Sequence, residues 1–189
     1  MEENSTNPAE EEFKSVLQDH SYELIAPLGR GGYSTVYTVY SRQYHMDFVA
    51  KIIDITNNTK YGLIESFKSE IDALTRLNHQ NIISFFDHFA TDNYLFLILE
   101  YCPNGTLSDL LKSKGPLPKD QLYRFSSQIL KALRYCHMKG IAHRDIKPSN
   151  IFIDKYDRVK LADFGFACLP SSQFSDTFVG SLAFVPLEI

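Results

Sequence analysis

At CPNGT, residues 102–106, the hydrophobic period of the chain changes, and that change restricts the fold more than any other feature. Upstream the pattern is strand-like. YELIAPL (22–28), STVYTVY (34–40) and DFVAKIID (47–54) read as strands, and two more apolar strands fall near 82–89 and 94–100. One helix interrupts them: Ile64, Phe67, Ile71 and Leu74 recur at three- and four-residue steps, to about Leu77. Downstream the period is helical. A short helix is expected at Leu107–Leu111, and a long one over 119–139 with Leu122, Phe125, Ile129, Leu133 and Cys136 on one face. Pro118 suits its first turn and Gly140 the position just past its last. NIFID and RVKLAD then form short strands about a polar turn. Strands with one helix, followed by helices, make an α+β order with a sheet-rich part and a helical part.

Composition narrows the partners. The chain has 189 residues, 44% hydrophobic and 22% charged, which is ordinary globular usage with enough apolar material for a core. A net charge of -4 gives no electrostatic basis for binding nucleic acid or an anionic membrane. The most apolar run, YLFLIL at 94–99, is too short to span a bilayer. Cys102, Cys136 and Cys168 are scattered without metal-ligand spacing, as buried thiols in a reducing compartment would be. The first residues, MEENSTNPAEEEF, are acidic and polar, unlike a secretory or transit segment. Residues 1–20 are expected to be a disordered acidic tail, and the location cytoplasmic, with the nucleus left open.

The densest chemistry lies in GIAHRDIKPSNIFID, residues 140–154. Asp145 in a loop, two residues from Lys147, is suited to accept a hydroxyl proton while the lysine steadies nearby negative charge. Asn150 carries an oxygen of the kind Mg²⁺ prefers, and Asp163, in LADFGFA, adds a second beside Gly165. A solvated charged loop explains each charge separately but not the ordered set. Gly29, Gly31 and Gly32 between two strands let backbone N–H groups approach a phosphate, although an ordinary hairpin uses such glycines too. A strand follows them, which excludes the dinucleotide fingerprint, and no Gly-Lys-Ser/Thr closes a Walker A loop. Lys51 shares a strand face with Val49 and Ile53; it either reaches solvent at an edge or pairs with Glu70 on the following helix.

Taken in order, GRGGYSTV, Lys51 in FVAK, Glu70, ILEYC, HRDIKPSN and DFG resemble the eukaryotic protein kinases from about Tyr22 to Ile189. Lys147 is similar to the serine/threonine branch, and DFGFA and GSLAF to the calcium/calmodulin-dependent and AMP-activated kinase-like group. The resemblance implies a two-lobed fold: a small antiparallel-sheet lobe plus one helix over about 21–101, and an incomplete helical lobe over about 102–189. It implies ATP and Mg²⁺ as cofactors, protein substrates, and an upstream activating kinase. Gly29 and Gly31 would cover the phosphates, and Lys51, held by Glu70, would contact them. Val36, Val49 and Phe152 would enclose adenine behind the gatekeeper Leu99, with the backbone at Glu100 and Cys102 bonding the base. Asp145 and Lys147 would be catalytic, and Asn150 and Asp163 would hold the metal. Thr177 matches the activating site, with Arg144 able to pair with its phosphate.

The chain departs from the pattern in places. Ser34 replaces the third glycine and Val49 the usual alanine over adenine. Thr106 and Ser149 stand where basophilic members carry acids, which argues against a strict demand for arginine three residues before the acceptor. Pro186-Leu187-Glu188 replaces Ala-Pro-Glu one residue before the last, so the resemblance implies a C-terminally truncated kinase. The alternative function is an inactive fragment that binds nucleotide or partner proteins.

Overall fold

The computed structural model describes residues 8–31, 34–56 and 71–164. They fall into two compact units, one holding residues up to 57 and 86–101, the other residues 58–85 and everything from 102 onward. Each is α+β in the sense expected, but several expectations are corrected. The first concerns the supposed disordered tail, where Pro8–Asp19 forms a helix, α1. Its acidic composition hides the spacing of Ala9, Phe13, Val16 and Leu17, which place one apolar stripe on the sheet, Phe13 and Leu17 being buried. Glu10 and Glu11 in the first turn complement the positive end of the helix. At the other end the His20 ring bonds the Val16 carbonyl through Nδ1 and stacks on Phe89 at 3.7 Å.

The sheet of the first unit comprises β1 (Tyr22–Arg30), β2 (Ser34–Ser41), β3 (Met46–Asp54), β4 (Phe85–Ala90) and β5 (Tyr94–Glu100), in the order β1-β2-β3-β5-β4. Neighbours from β1 to β5 pair antiparallel. Register, not propensity, decides which side chains share a face. Tyr37, Val39, Phe48, Ala50, Ile52, Phe96 and Ile98 lie on the face that α1 covers and form its core. The opposite face carries Val36, Val49, Lys51, Leu97 and Leu99. β1 is an edge strand with two register shifts, which leave Ile25 and Leu28 unpaired with β2 and half-exposed. Pro27 is tolerated there because the edge position asks no N–H of it on the open side.

The second correction concerns the boundary between the lobes. Residues 71–84 group with the second unit, not with the sheet of the first. The cause is a short bolt to β7 (Val159–Leu161): Leu161 N–H donates to the Asn81 carbonyl, Ile83 N–H donates to the Leu161 carbonyl, and Asn81 Nδ2 donates to the Val159 carbonyl. These partners are 78 residues apart in the chain for Asn81 and Val159, so no local pattern announces them. For the same reason the fourth strand begins at Phe85, not near Ile82.

The remainder of the second unit contains α2 (Leu107–Lys114), α3 (Lys119–Met138), a turn of 3-10 helix at Pro148–Asn150, and the antiparallel pair β6 (Ile151–Ile153) and β7. Thr106 and Asp109 form a capping box at the start of α2. Pro118 stands at the N-cap of α3, and Gly140, at φ 73°, takes the left-handed backbone just past its end. Phe125, Ala132 and Cys136 are the buried stripe of α3, and burial pushes the Cys136 thiol up to about 11. Leu122, expected on that stripe, is exposed. Polar contacts hold the helix to the hairpin instead: Arg124 pairs with Asp157, and Gln128 Oε1 accepts from Val159 N–H.

Candidate active site

In the first unit, antiparallel pairing aligns the residues of interest. Gly29 faces Val36, Val36 faces Lys51, and Val49 faces Leu99, so Gly29, Val36, Val49, Lys51 and Leu99 share the face that α1 does not cover. Lys51 is half-buried there, between Val36 and Leu97 in the ladder. A methyl group placed on Gly29 would touch none of the described residues within 4 Å, and its backbone is not in the left-handed region. Neither conformation nor packing against the described residues therefore demands glycine at this position, whereas close approach of a phosphate would. Gly31 differs: its N–H bonds the Ser34 carbonyl at 2.7 Å, and a Cβ there would press on Ser34 Oγ at 3.3 Å. The serine that replaces the third glycine thus closes the hairpin onto Gly31. Glu70, the expected partner of Lys51, lies outside the described residues.

After β5 the chain passes Glu100, half-buried, and Cys102, buried. The Cys102 carbonyl accepts from Gly105 N–H, and Asn104 and Gly105 then pair with Ile153 of β6. This turn lays Thr106 beside Phe152 as an isolated bridge, with Phe152 half-buried.

The residues of HRDIKPSN gather around one carboxylate in the second unit. Asp145 is 2% exposed. Lys147 Nζ donates to its Oδ2 at 2.7 Å, and Asn150 Nδ2 donates to the same oxygen at 2.9 Å and to the Asp145 carbonyl at 3.0 Å. A buried carboxylate without such donors would be strongly disfavoured as an anion, so the lysine and the amide hold both its charge and its orientation. With its NH₂ committed to Asp145, Asn150 has its amide oxygen as the donor atom for a hard cation. Asn150 also fixes the next segment, because its backbone carbonyl accepts from Ala162 N–H, immediately before Asp163. An amide oxygen and a carboxylate suit Mg²⁺, so the donor set fits that ion.

Arg144 and Asp163 both take left-handed backbone, at φ 66° and 63°, a costly conformation for non-glycine residues that structures retain where a site requires it. Arg144 is half-buried. Thr177, its expected partner when phosphorylated, lies outside the described residues, as do Gly165 and Cys168.

His143 is the residue whose part the sequence did not disclose. Its Nε2 lies 3.0 Å from the Ala162 carbonyl, and its Nδ1 lies 3.2 Å from Asp145 N–H. A carbonyl only accepts and an amide N–H only donates, so these neighbours require the neutral imidazole with its proton on Nε2. Burial lowers the His143 pKa, against the opposing pull of the Ala162 carbonyl and of Asp163 and Asp145. A neutral ring, packed 4.6 Å from Phe164, therefore ties the backbone of Asp145 to that of Ala162. The only advance signal was its place next to Arg144.

Comparison with known proteins gives the same direction. A protein kinase domain model matches residues 22–189. Aurora kinase B of Danio rerio is 32% identical over 174 residues, covering 92% of this chain and 54% of that protein. CBL-interacting protein kinase 11 of Oryza sativa subsp. japonica is 31% identical over 180 residues, covering 93% and 36%. CBL-interacting serine/threonine-protein kinase 19 of Arabidopsis thaliana is 33% identical over 172 residues, covering 89% and 35%. The chain spans about a third to a half of the length of these relatives.

Proposed function

The chain belongs to the protein kinase domain family, of serine/threonine type, and on that premise we propose that it transfers phosphate from ATP to serine or threonine hydroxyls of protein substrates. The observation that carries this reading is the buried Asp145 carboxylate held by Lys147 and Asn150. Bound Mg-ATP supplies the electrophilic γ-phosphorus and, as ADP, the leaving group.

The residues of the chain do the rest. Asp145 orients the acceptor hydroxyl and receives its proton as that oxygen bonds to phosphorus. Lys147, with its ammonium on the Asp145 carboxylate, adds positive charge where the transferred group carries negative charge. Asn150 and Asp163 offer the oxygens for Mg²⁺, and His143 keeps the backbones of Asp145 and Ala162 in register. On the sheet, Gly29 and Gly31 leave room over the phosphates, Lys51 meets them, and Val36 and Val49 line adenine near Leu99; Phe152, on β6 of the second unit, is the remaining residue assigned to adenine. Glu100 and Cys102 bond the base through their backbone. Phosphorylation of Thr177 by an upstream kinase, read by Arg144, would switch the activity. The buried free thiols of Cys102 and Cys136 suit a reducing compartment, and on that ground we place the chain in the cytoplasm.

The test measures transfer of labelled γ-phosphate to mixed serine- and threonine-containing peptides, alongside thermal unfolding with and without Mg-ATP. A hundredfold excess of ligand over its dissociation constant stabilises the folded state by about 2.7 kcal/mol and raises the midpoint. Transfer together with that rise supports the proposal. A rise without transfer assigns the chain to nucleotide binding alone. The absence of both signals overturns the reading.

A further inference from the structure

The kinase domain match begins at residue 22, and α1 ends before it, yet α1 supplies part of the core of the first unit. Phe13 makes edge contacts with the rings of Tyr94 at 4.9 Å and of Tyr37 and Phe96 at 6.1 Å. Leu17 is wholly buried. The strand residues beneath them, Ala50 and Ile52, flank Lys51, whose side chain leaves from the other face. α1 therefore rests directly on the back of the strand that carries the lysine. Its first turns also wall a cavity of about 150 Å³ whose other sides include Arg30, Gly31, Ser34 and Thr35, the roots of the glycine-rich hairpin. The C-terminal end of α1 is fastened twice: His20 stacks on Phe89, and Arg42 N–H bonds the Ser21 carbonyl just after the helix.

We propose that α1 braces the nucleotide-facing side of the sheet, with Phe13 a positioning residue for Lys51 and the glycine-rich hairpin. A thin twisted sheet has no rigidity of its own when one face loses its packing, and a β-register is held only while its buried side is specified. The inference rests on the kinase reading for its ligand, and on packing alone for its mechanics. If loosening the brace leaves the binding-competent hairpin populated a tenth of the time, apparent nucleotide affinity falls about tenfold.

The experiment uses the full chain, carrying Phe13→Ala or the conservative Phe13→Leu, well below the unfolding midpoint. Calorimetry measures affinity for a non-hydrolysable ATP analogue with Mg²⁺. Hydrogen exchange compares residues 34–54 with residues 151–161 of the same molecule. The brace predicts about tenfold weaker binding in Phe13→Ala, near-parental binding in Phe13→Leu, and faster exchange confined to 34–54. Parental affinity in Phe13→Ala overturns it, as does acceleration of both segments alike, which marks global loosening. A parent chain that binds no nucleotide overturns the kinase reading instead. Exchange then decides the brace by itself: acceleration confined to 34–54 upholds it, and none refutes it.

Discussion

The two units place their functional groups by different means. In the first, Gly29, Val36, Val49, Lys51 and Leu99 are aligned by antiparallel register, and the apolar core behind the sheet maintains that register. In the second, Asp145, Lys147, Asn150 and His143 are held by side-chain hydrogen bonds around a buried carboxylate, with left-handed backbone at Arg144 and Asp163. Packing is tolerant in chemistry and demanding in volume; a buried polar cluster is the reverse. Substitutions that preserve shape should therefore be harmless in the first unit and damaging in the second.

The largest effect expected on activity is from Asp145→Asn, which keeps the shape and removes the base. Phosphotransfer should fall by about 10²–10⁴-fold in a steady-state assay, with Mg-ATP binding retained. In the first unit, shape itself is the test. Phe96→Ala opens a cavity in a wholly buried position and should cost about 3–5 kcal/mol in urea unfolding, whereas Phe96→Leu should cost much less. Asn81→Ala removes the donor to the Val159 carbonyl in the bolt of the second unit. It should cost about 1–3 kcal/mol by the same measurement, with no comparable rescue by an apolar residue of similar size.

Acidity separates the units further. Burial depresses both His143 and His79, the latter also through Lys160 and Lys131, and both belong to the second unit. The unfolded chain takes up protons at these rings before the folded one does. Their contribution is thus complete above the ordinary histidine value of 6.5 and declines as pH falls below it. Midpoints recorded through that range should fall, and His79→Asn should flatten the slope. The smallest effect expected is from Arg42→Ala, which breaks an exposed pair with Glu23 and should change stability by less than about 1 kcal/mol.

Much of this was legible in the sequence. The strands announced themselves through alternation, and Asp145, Lys147 and Asn150 through crowding within six residues of chain. What escaped was either masked or non-local. Glutamates concealed the apolar spacing of Phe13, Val16 and Leu17. The grouping of residues 71–84 depends on Asn81 meeting Val159, a contact that only the folded chain creates. Leu122 fits a helical stripe on paper, but Arg124 and Gln128 turn a polar side of α3 to the hairpin. The protonation of His143 follows from its donor and acceptor neighbours, and residue order cannot supply those.

Cys136, wholly buried and with its thiol pushed up to about 11, has a practical consequence. At neutral pH such a sulfur is almost entirely protonated and shielded, so alkylating reagents reach it only when α3 leaves its neighbours. Its rate of labelling, resolved by peptide mass, is a built-in clock for the opening of the second unit. No dye or engineered probe has to be added to start it.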